Sequence, residues 1–277
     1  MKKHNEYYWD NKKSRTEQAV KHTDEVAKKY PNEIADSVQR TTIYDATLKR
    51  SIGIPMDGYP KNIKYSVVEE DSVSAIFDCA QGKTAVLNFA SYKYPGGGFM
   101  VGSRAQEECL CHESFLYNVI SQQEEYYAWN RKNLNKALYK PRALYSPDII
   151  FERDGKTQKC DVITCAAPNF SAASNFVNRI ENDRVLDGRI RFILEIAKKE
   201  NVDTLILGAF GCGVFQQTPE TVAELFDKGI KSVFCDKNIN AVFAVIPPLP
   251  NQTDNLTPFI NKFSDDSATS SGGFLNT

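Results

Sequence analysis

The segment from Pro95 to Glu108 brings together residue types that could do chemistry. Three consecutive glycines are followed, after a spacer of seven residues, by an amide and two carboxylates. A backbone without Cβ atoms can approach a ligand closely and direct its N–H groups at a phosphate or a ribose. Adjacent glutamates can supply a general acid or base, although acidic residues also suit the first turn of a helix. The fixed distance from the glycines favours the catalytic interpretation. The residues concerned are Gly96, Gly97, Gly98, Gln106, Glu107 and Glu108.

A second glycine-rich segment, from Gly208 to Phe215, follows the predicted strand Thr204–Gly208. Its glycines permit tight curvature and can turn several backbone N–H groups towards an anion. No Lys-Ser or Lys-Thr pair follows, which excludes a Walker loop, and the glycine spacing does not fit a Rossmann fingerprint. A diphosphate site and a purely structural turn both remain open. Phe215 could stack on a ribose or adenine, or belong to the core. The candidate binding residues are Gly208, Gly211, Cys212, Gly213, Val214 and Phe215.

The first segment resembles the signature of the bacterial-type poly(ADP-ribose) glycohydrolases, in which a triple glycine precedes Gln-Glu-Glu. The run Val86–Ser91, which contains Asn88, is similar to the strand and asparagine that lead into this loop in the family. The segment Gly208–Phe215 is similar to the diphosphate-binding loop of macrodomains. The resemblance spans residues 40–250.

This resemblance implies an enzyme that releases ADP-ribose from the end of poly(ADP-ribose). It gives Glu108 the role of general acid and base and Glu107 that of holding ribose hydroxyls. It also implies substrate contacts by Asn88, by Gln106 and by the three glycines. Neighbouring helical residues diverge by about 100°, so the two glutamates do not suit opposite sides of one bond. A mono-ADP-ribosyl hydrolase and a non-catalytic ADP-ribose reader are the alternatives, and Gln-Glu-Glu favours an enzyme.

Charge and metal-ligating residues narrow the function further. The net charge of −1 gives no sign of a basic footprint or a dedicated DNA-binding element, so we expect a polymer to be held at one terminal unit. The expected partners are poly(ADP-ribose) or ADP-ribosylated proteins. Cys109 and Cys111 diverge by about 200° on a helix, and the three histidines are widely separated, so we expect neither a metal nor another cofactor.

The pattern of apolar segments predicts the elements that position these motifs. The predicted strands are Lys64–Glu69, Thr84–Ala90, Asp161–Ala167, Thr204–Gly208, Ser232–Asp236 and Ala241–Ile246. The predicted helices are Ser14–Tyr30, Asn32–Thr41, Gln106–Ile120, Gln122–Ala137, Asn175–Lys199 and Pro219–Lys231. Continuous apolar strands between helices indicate an α/β fold with a largely parallel sheet. In such sheets the loops at the carboxyl ends of strands carry the site, and both glycine segments follow strands.

Together with the resemblance, this pattern predicts a macrodomain-like three-layer α/β/α sandwich with a mixed, largely parallel sheet. We divide the chain into an N-terminal helical extension (1–45), a glycohydrolase domain (46–263) and a disordered tail (264–277). Residues 166–170 are expected to form another rim loop or an Asx turn. The arginines of the long helix, at positions 179, 184, 189 and 191, are expected on its solvated face.

The apolar runs are shorter than the ~20 residues that span a bilayer, and the N-terminus lacks an apolar signal region. With seven cysteines in mostly apolar contexts, we expect reduced thiols, no membrane partner and a cytoplasmic location.

Overall fold

The apolar runs of the sequence pair side by side into one seven-stranded sheet. The computed structural model describes residues 11–48 and 62–264. Within them the strand order is β1-β4-β5-β3-β6-β7-β2. The β1–β4 and β4–β5 pairs are antiparallel and the other neighbours are parallel, as expected for a mixed, largely parallel sheet. The strands are β1 (Thr42–Tyr44), β2 (Ile63–Val68), β3 (Thr84–Phe89), β4 (Ala143–Arg153), β5 (Lys156–Cys165), β6 (Thr204–Leu207) and β7 (Ile239–Ala244).

Helices cover both faces of this sheet, which confirms the three-layer arrangement. Alternate residues of each strand point to opposite faces. Leu87 of β3 packs in one core with α8 and α9, whereas its neighbour Val86 packs in a second core with α3, α4 and α5. The helices are α1 (Lys12–Lys29), α2 (Pro31–Arg40), α3 (Ser72–Cys79), α4 (Gln106–His112), α5 (Leu116–Ile120), α6 (Glu124–Lys132), α7 (Phe170–Ala173), α8 (Arg179–Lys199), α9 (Pro219–Val233) and α10 (Thr257–Phe263).

The two N-terminal helices lie close to their predicted positions. They share a core with helices α4 and α5. Ala19, Val26 and Ile34 are buried in the same cluster as the apolar residues of α4 and α5. Arg15 Nε donates to the carbonyl oxygen of Gly102 at 2.8 Å, so α1 touches the loop that carries the three glycines. The proposed boundary at residue 45 stays a prediction, and the predicted tail lies outside the described residues after Ser264.

The sheet order brings the two glycine segments together. β3 and β6 are parallel neighbours, with Ala85 opposite Leu205. Their carboxyl ends therefore meet at one edge of the sheet, where loops of α/β proteins form sites. The ring of Phe89 at the end of β3 and that of Phe210 in the second glycine segment lie edge to face with centroids 5.6 Å apart.

Local hydrogen bonds end several helices where apolar periodicity alone predicts that they continue. The predicted helix Gln106–Ile120 is two helices, because Ser114 Oγ accepts the N–H of Leu116 and starts a new one. Asn178 accepts the N–H of Glu181 and starts α8 later than predicted. The prediction Gln122–Ala137 extends too far, since α6 ends at Lys132. The predicted strand Ser232–Asp236 is wrong, because Ser232 and Val233 lie in the last turn of α9 and residues 234–236 form a turn.

The β4–β5 hairpin is the largest element that the apolar pattern does not reveal. Its sequence pattern is interrupted at Pro147, next to a register shift between Ser146 and Ile149. The turn residues Asp154 and Gly155 both have positive φ, and Asp-Gly is a strong hairpin signal. That dipeptide is the signal from which the hairpin could be found.

Gly102 offers a test of the contact between α1 and the glycine loop. Its φ is 74°, and an added Cβ would lie 2.4 Å from the carbonyl oxygen of Lys12. Gly155 is a matched control, because its φ is 76° but no atom lies within 4 Å of an added Cβ. We expect Gly155→Ala to lower the free energy of unfolding by about 1 kcal/mol through backbone strain. Gly102→Ala should lower it by a further ~1–3 kcal/mol through overpacking. Urea denaturation measures both, and equal losses would contradict close packing of α1 on Gly102.

Candidate active site

Gln106 joins the start of α4 to the end of β3. Its Oε1 accepts the N–H of Phe89 at 2.9 Å, and its Nε2 donates to the carbonyl oxygen of Leu87 at 2.8 Å. The same Nε2 also donates to Ser72 Oγ at 3.1 Å. The side chain therefore fixes the first turn of α4, which carries the two glutamates. Its contact with substrate stays a prediction.

Glu107 is buried and both of its carboxyl oxygens are engaged. Oε1 accepts from Asn88 Nδ2 at 3.3 Å, and Oε2 accepts the N–H of Ser91 at 2.7 Å. Burial raises the pKa of Glu107 to about 8, while the hydrogen bonds from Ser91, Asn88 and Gly96 act in the opposite direction. Burial therefore favours the protonated form of Glu107. The structure brings the predicted residues Asn88 and Glu107 together.

Glu108 is buried beside Glu107 but keeps one oxygen available. Oε1 accepts the N–H of Gly98 at 2.8 Å. Oε2 is buried and has no hydrogen-bond partner among the described residues. Of the two glutamates, Glu108 is thus the one with a carboxyl oxygen that no group of the described residues binds.

The carboxyl groups of Glu107 and Glu108 come so close to the loop that they leave little room for side chains there. Gly96 and Gly97 have φ values of 66° and 59°, in the left-handed region. A Cβ on Gly97 would lie 2.7 Å from Glu108 Oε1 and 2.8 Å from Glu107 Oε2, so both carboxyl groups converge on this residue. The N–H groups of Gly96 and Gly98 bind the glutamates, and that of Gly97 donates to the carbonyl oxygen of Tyr94. These three N–H groups are therefore used within the protein, where they offset the cost of burying the carboxyl groups, and contact of the three glycines with substrate stays a prediction.

The second glycine segment has the free donors that the first lacks. Within the described part of the chain, the N–H groups of four of its residues donate no hydrogen bond. Such a series of unpaired N–H groups attracts an anion. The φ of Gly211 is 79°, and a Cβ there would lie 2.8 Å from Ala167 Cβ. Around Gly213 there is open space, with no atom within 4 Å of an added Cβ. The four residues are Gly211, Gly213, Val214 and Phe215.

Other members of this segment are structural in the described chain. A Cβ on Gly208 would lie 2.6 Å from the carbonyl oxygen of Ala244, so Gly208 allows the segment to pack on β7. The thiol of Cys212 is buried, and burial raises its pKa to about 12. Phe215 is half-buried, and its ring lies 6.3 Å from that of Tyr139. It thus packs against the rim of the site on one side.

The loop after β5 is fixed by a residue that the sequence pattern misassigns. Arg189 is buried, which contradicts the prediction of a solvated position on the long helix. Its guanidinium donates to the carbonyl oxygens of Ala166 and Leu138, and so connects two rim loops. A buried arginine satisfies such carbonyls at a lower desolvation cost than a lysine would. Asn169 accepts the N–H of Ala172, which supports the Asx interpretation of residues 166–170.

A cleft of about 600 Å³ opens beside the two glycine segments. It is bordered by Gln106 and Phe89 on one side, by Ala209 on another, and by Asp71 at the start of α3. The volume falls in the range of small-molecule sites. No sequence motif identified this cleft, because its walls come from six separate segments. Among residues 11–48 and 62–264, no three His, Cys, Asp or Glu side chains are grouped as a metal site would require.

Comparisons with known proteins agree with this geometry. The family model described as "Microbial-type PARG, catalytic domain" matches residues 2–154, which is more than half of the chain. The chain belongs to the microbial-type poly(ADP-ribose) glycohydrolases. A search of curated proteins gave no match.

Solved poly(ADP-ribose) glycohydrolases are similar over nearly the whole chain. The enzyme from Thermomonospora curvata is 30% identical with a TM-score of 0.76, and the match covers 91% of this chain and 98% of that one. The same enzyme bound to the inhibitor ADP-HPD gives 29% identity, a TM-score of 0.76 and coverage of 91% and 99%. The Deinococcus radiodurans enzyme in complex with ADP-ribose gives 30%, 0.71, and coverage of 84% and 97%.

Glu107 gives this glycohydrolase a pH-dependent stability that can be measured. Its pKa is about 8 in the folded protein against a reference value of 4.5. The folded state therefore binds more protons than the unfolded state between these values, so the stability from this group falls as the pH rises from 4.5 to 8. We expect wild type to lose stability relative to Glu107→Gln across that window, in unfolding measurements from pH 4 to 9. The exposed Glu17→Gln is the control, and parallel curves for wild type and Glu107→Gln would contradict a protonated Glu107.

Proposed function

We propose that this chain hydrolyses the ribose–ribose O-glycosidic bond at the end of a poly(ADP-ribose) chain and releases ADP-ribose. Glu108 is the general acid and base. The observation that carries this proposal is the free Oε2 of Glu108, which lies in a buried carboxyl pair between the sheet edge and the glycine loop. Glu107 cannot take the same role without giving up hydrogen bonds that hold the loop.

The reaction follows from the two different environments of the glutamates. Protonated Glu108 donates its proton to the leaving ribose oxygen while the bond from that oxygen to the anomeric carbon breaks. The remaining ring develops oxocarbenium character, and the Glu108 carboxylate then accepts a proton from the water that attacks the anomeric carbon. This returns Glu108 to its acid form and releases ADP-ribose with a free anomeric hydroxyl. Glu107 orients the ribose hydroxyls.

The second glycine segment and the cleft fit the rest of the terminal unit. The four unpaired N–H groups between Gly211 and Phe215 can bind the diphosphate without a metal ion. Phe215 stands at the end of these donors, where it can contact a ribose. The cleft beside Ala209 has room for the adenosine. A closed site of this kind favours the end of a polymer over its interior.

The cellular location is part of the proposal. All seven cysteines are free, which suits a reducing compartment such as the cytoplasm. Within residues 11–48 and 62–264 no helix has the length and apolar character to cross a bilayer.

Replacing Glu108 by Gln tests the catalytic assignment. The amide oxygen can still accept the N–H of Gly98, so the glycine loop stays in place, but the transferable proton is lost. We expect turnover of poly(ADP-ribose) to fall by about 10²–10⁴-fold. Calorimetry should show ADP-ribose affinity within a few-fold of wild type. Glu108→Asp, which keeps an acid on a shorter side chain, should retain more activity than Glu108→Gln. Near-normal turnover by Glu108→Gln would assign the proton transfer to another group.

Two glycine substitutions test the diphosphate segment. Gly213→Val adds a side chain into open space, so the fold should tolerate it while the diphosphate is crowded. We expect ADP-ribose affinity to fall at least about ten-fold, equivalent to ~1.4 kcal/mol, with little change in thermal stability. Gly211→Val is the comparison, because its side chain would collide with Ala167 and Gln217 and should lower stability directly. Unchanged affinity in Gly213→Val would remove this segment from the site.

A further inference from the structure

Positive charge is concentrated in one segment of a chain whose net charge is −1. Between Tyr126 and Pro147 the sequence has five cationic residues and no acidic one. Arg142 is buried, with its guanidinium 4.5 Å from the centre of the Trp129 ring. The other four side chains are exposed, and the exposed Lys93 lies beside them. The basic rim defined in this way consists of Lys93, Arg131, Lys132, Lys136 and Lys140.

On one side the basic rim touches the catalytic loop. Arg131 Nη1 donates to the carbonyl oxygen of Lys93 at 3.2 Å, and Asn130 Nδ2 donates to that of Tyr92 at 3.0 Å. Tyr92 follows Ser91, whose N–H holds Glu107. The charge of Lys93 is therefore only a few residues along the chain from Ser91, which binds Glu107.

On its other side the rim reaches the diphosphate segment. The ring of Tyr139 stacks on Tyr92 at 4.2 Å and lies 6.3 Å from the ring of Phe215. The N–H of Asn169 donates to the carbonyl oxygen of Ala137 at 2.9 Å. The basic rim thus spans the distance between the two halves of the site.

The charges of the rim have no counter-charge among the residues that the structure describes. Within residues 11–48 and 62–264, none of its five cations forms an ion pair, whereas other lysines such as Lys198 and Lys262 are paired with carboxylates. The acidic residues closest in sequence, Glu124 and Glu125, lie at the opposite end of α6. Unpaired cations on one surface raise the local concentration of an anionic ligand.

The backbone that presents these lysines is strained. Lys136 has a φ of 53°, and its neighbours Asn135, Ala137 and Tyr139 have φ values of 47°, 64° and 61°. Residues other than glycine rarely adopt such φ values, and strain of this kind clusters at functional sites. The segment is held in place by Arg189, which binds the carbonyl oxygen of Leu138, and by Tyr92, whose hydroxyl accepts the N–H of Lys140.

We propose that the basic rim binds the diphosphate groups of the polymer on the leaving side of the scissile bond. Each unit of the polymer carries a diphosphate, so the chain that leaves the site is a polyanion. This inference rests on the proposed function and makes the polymer, rather than a single ADP-ribose, the preferred substrate. The net charge of the whole chain does not show that these cations are clustered. For this reason the net charge alone indicated no basic footprint.

A triple variant tests the rim without touching the catalytic residues. Lys132, Lys136 and Lys140 are replaced by Gln, all in the Glu108→Gln background so that the polymer stays intact. The matched control replaces Lys28, Lys64 and Lys228, which are exposed lysines on other surfaces, and loses the same charge. Binding of protein-free poly(ADP-ribose) is measured at several salt concentrations, and ADP-ribose affinity is measured by calorimetry.

We expect the rim variant to bind the polymer at least about ten-fold more weakly at low salt. The slope of log affinity against log salt concentration should decrease in magnitude by about 2, because three lysines are removed and each phosphate contact of a single strand contributes ~0.7. ADP-ribose affinity should stay within two-fold, and the control variant should match its parent. Polymer binding equal to the control would overturn the inference. So would a parallel loss of ADP-ribose affinity, or a loss confined to ADP-ribosylated acidic proteins.

The same variants separate this inference from the proposed function. With Glu108 intact, a wild-type chain that binds the polymer through the rim but does not cleave it would overturn the glycohydrolase activity alone. A chain that cleaves the polymer equally well with and without the three lysines, at low salt and below saturation, would overturn the role of the rim alone.

Discussion

The site depends on a supply of backbone N–H groups to two adjacent buried carboxyl groups. Glu107 and Glu108 both converge on Gly97, and their oxygens accept N–H groups from the glycine loop and from Ser91. Without these donors a buried carboxyl pair would carry a large desolvation penalty. The glycines are needed because only a backbone without Cβ atoms can come this close with positive φ. Burial, together with the charge of Glu108, still raises the pKa of Glu107, although these donors act in the opposite direction.

The surrounding elements keep this loop in place from several directions. Gln106 fixes α4 to β3, Arg15 of α1 binds the carbonyl oxygen of Gly102, and Ser114 allows α4 and α5 to meet at an angle. Helix α1 therefore belongs to the structural support of the active site. Its sequence carries no catalytic motif, and its contribution became visible only from its contacts.

The sequence predicted the features that depend on neighbouring residues and those that the family resemblance implies. Runs of neighbouring residues were enough to assign the strands before both glycine segments and the two N-terminal helices. They were also enough to single out Glu107 and Glu108 as candidates. The β4–β5 hairpin was missed because Pro147 and a register shift interrupt its alternation. Arg189 was misassigned because helical periodicity does not tell which carbonyls lie opposite. The free donors of the second glycine segment, and the full use of those in the first, depend on tertiary hydrogen bonds.

The sheet order has a consequence for how the protein matures. β3, which leads to the glutamates, is a parallel neighbour of β6, which leads to the diphosphate segment, and β2 is paired with the last strand, β7. During synthesis, Glu107 and Glu108 therefore leave the ribosome well before the segment Gly208–Phe215 has been made. Such non-local pairings form slowly, since the loop-closure entropy is lost before the contacts are gained. A nascent or truncated chain that ends after the β4–β5 hairpin would contain Glu107 and Glu108 but not the segment Gly208–Phe215, so under the proposed function it would not cleave the polymer.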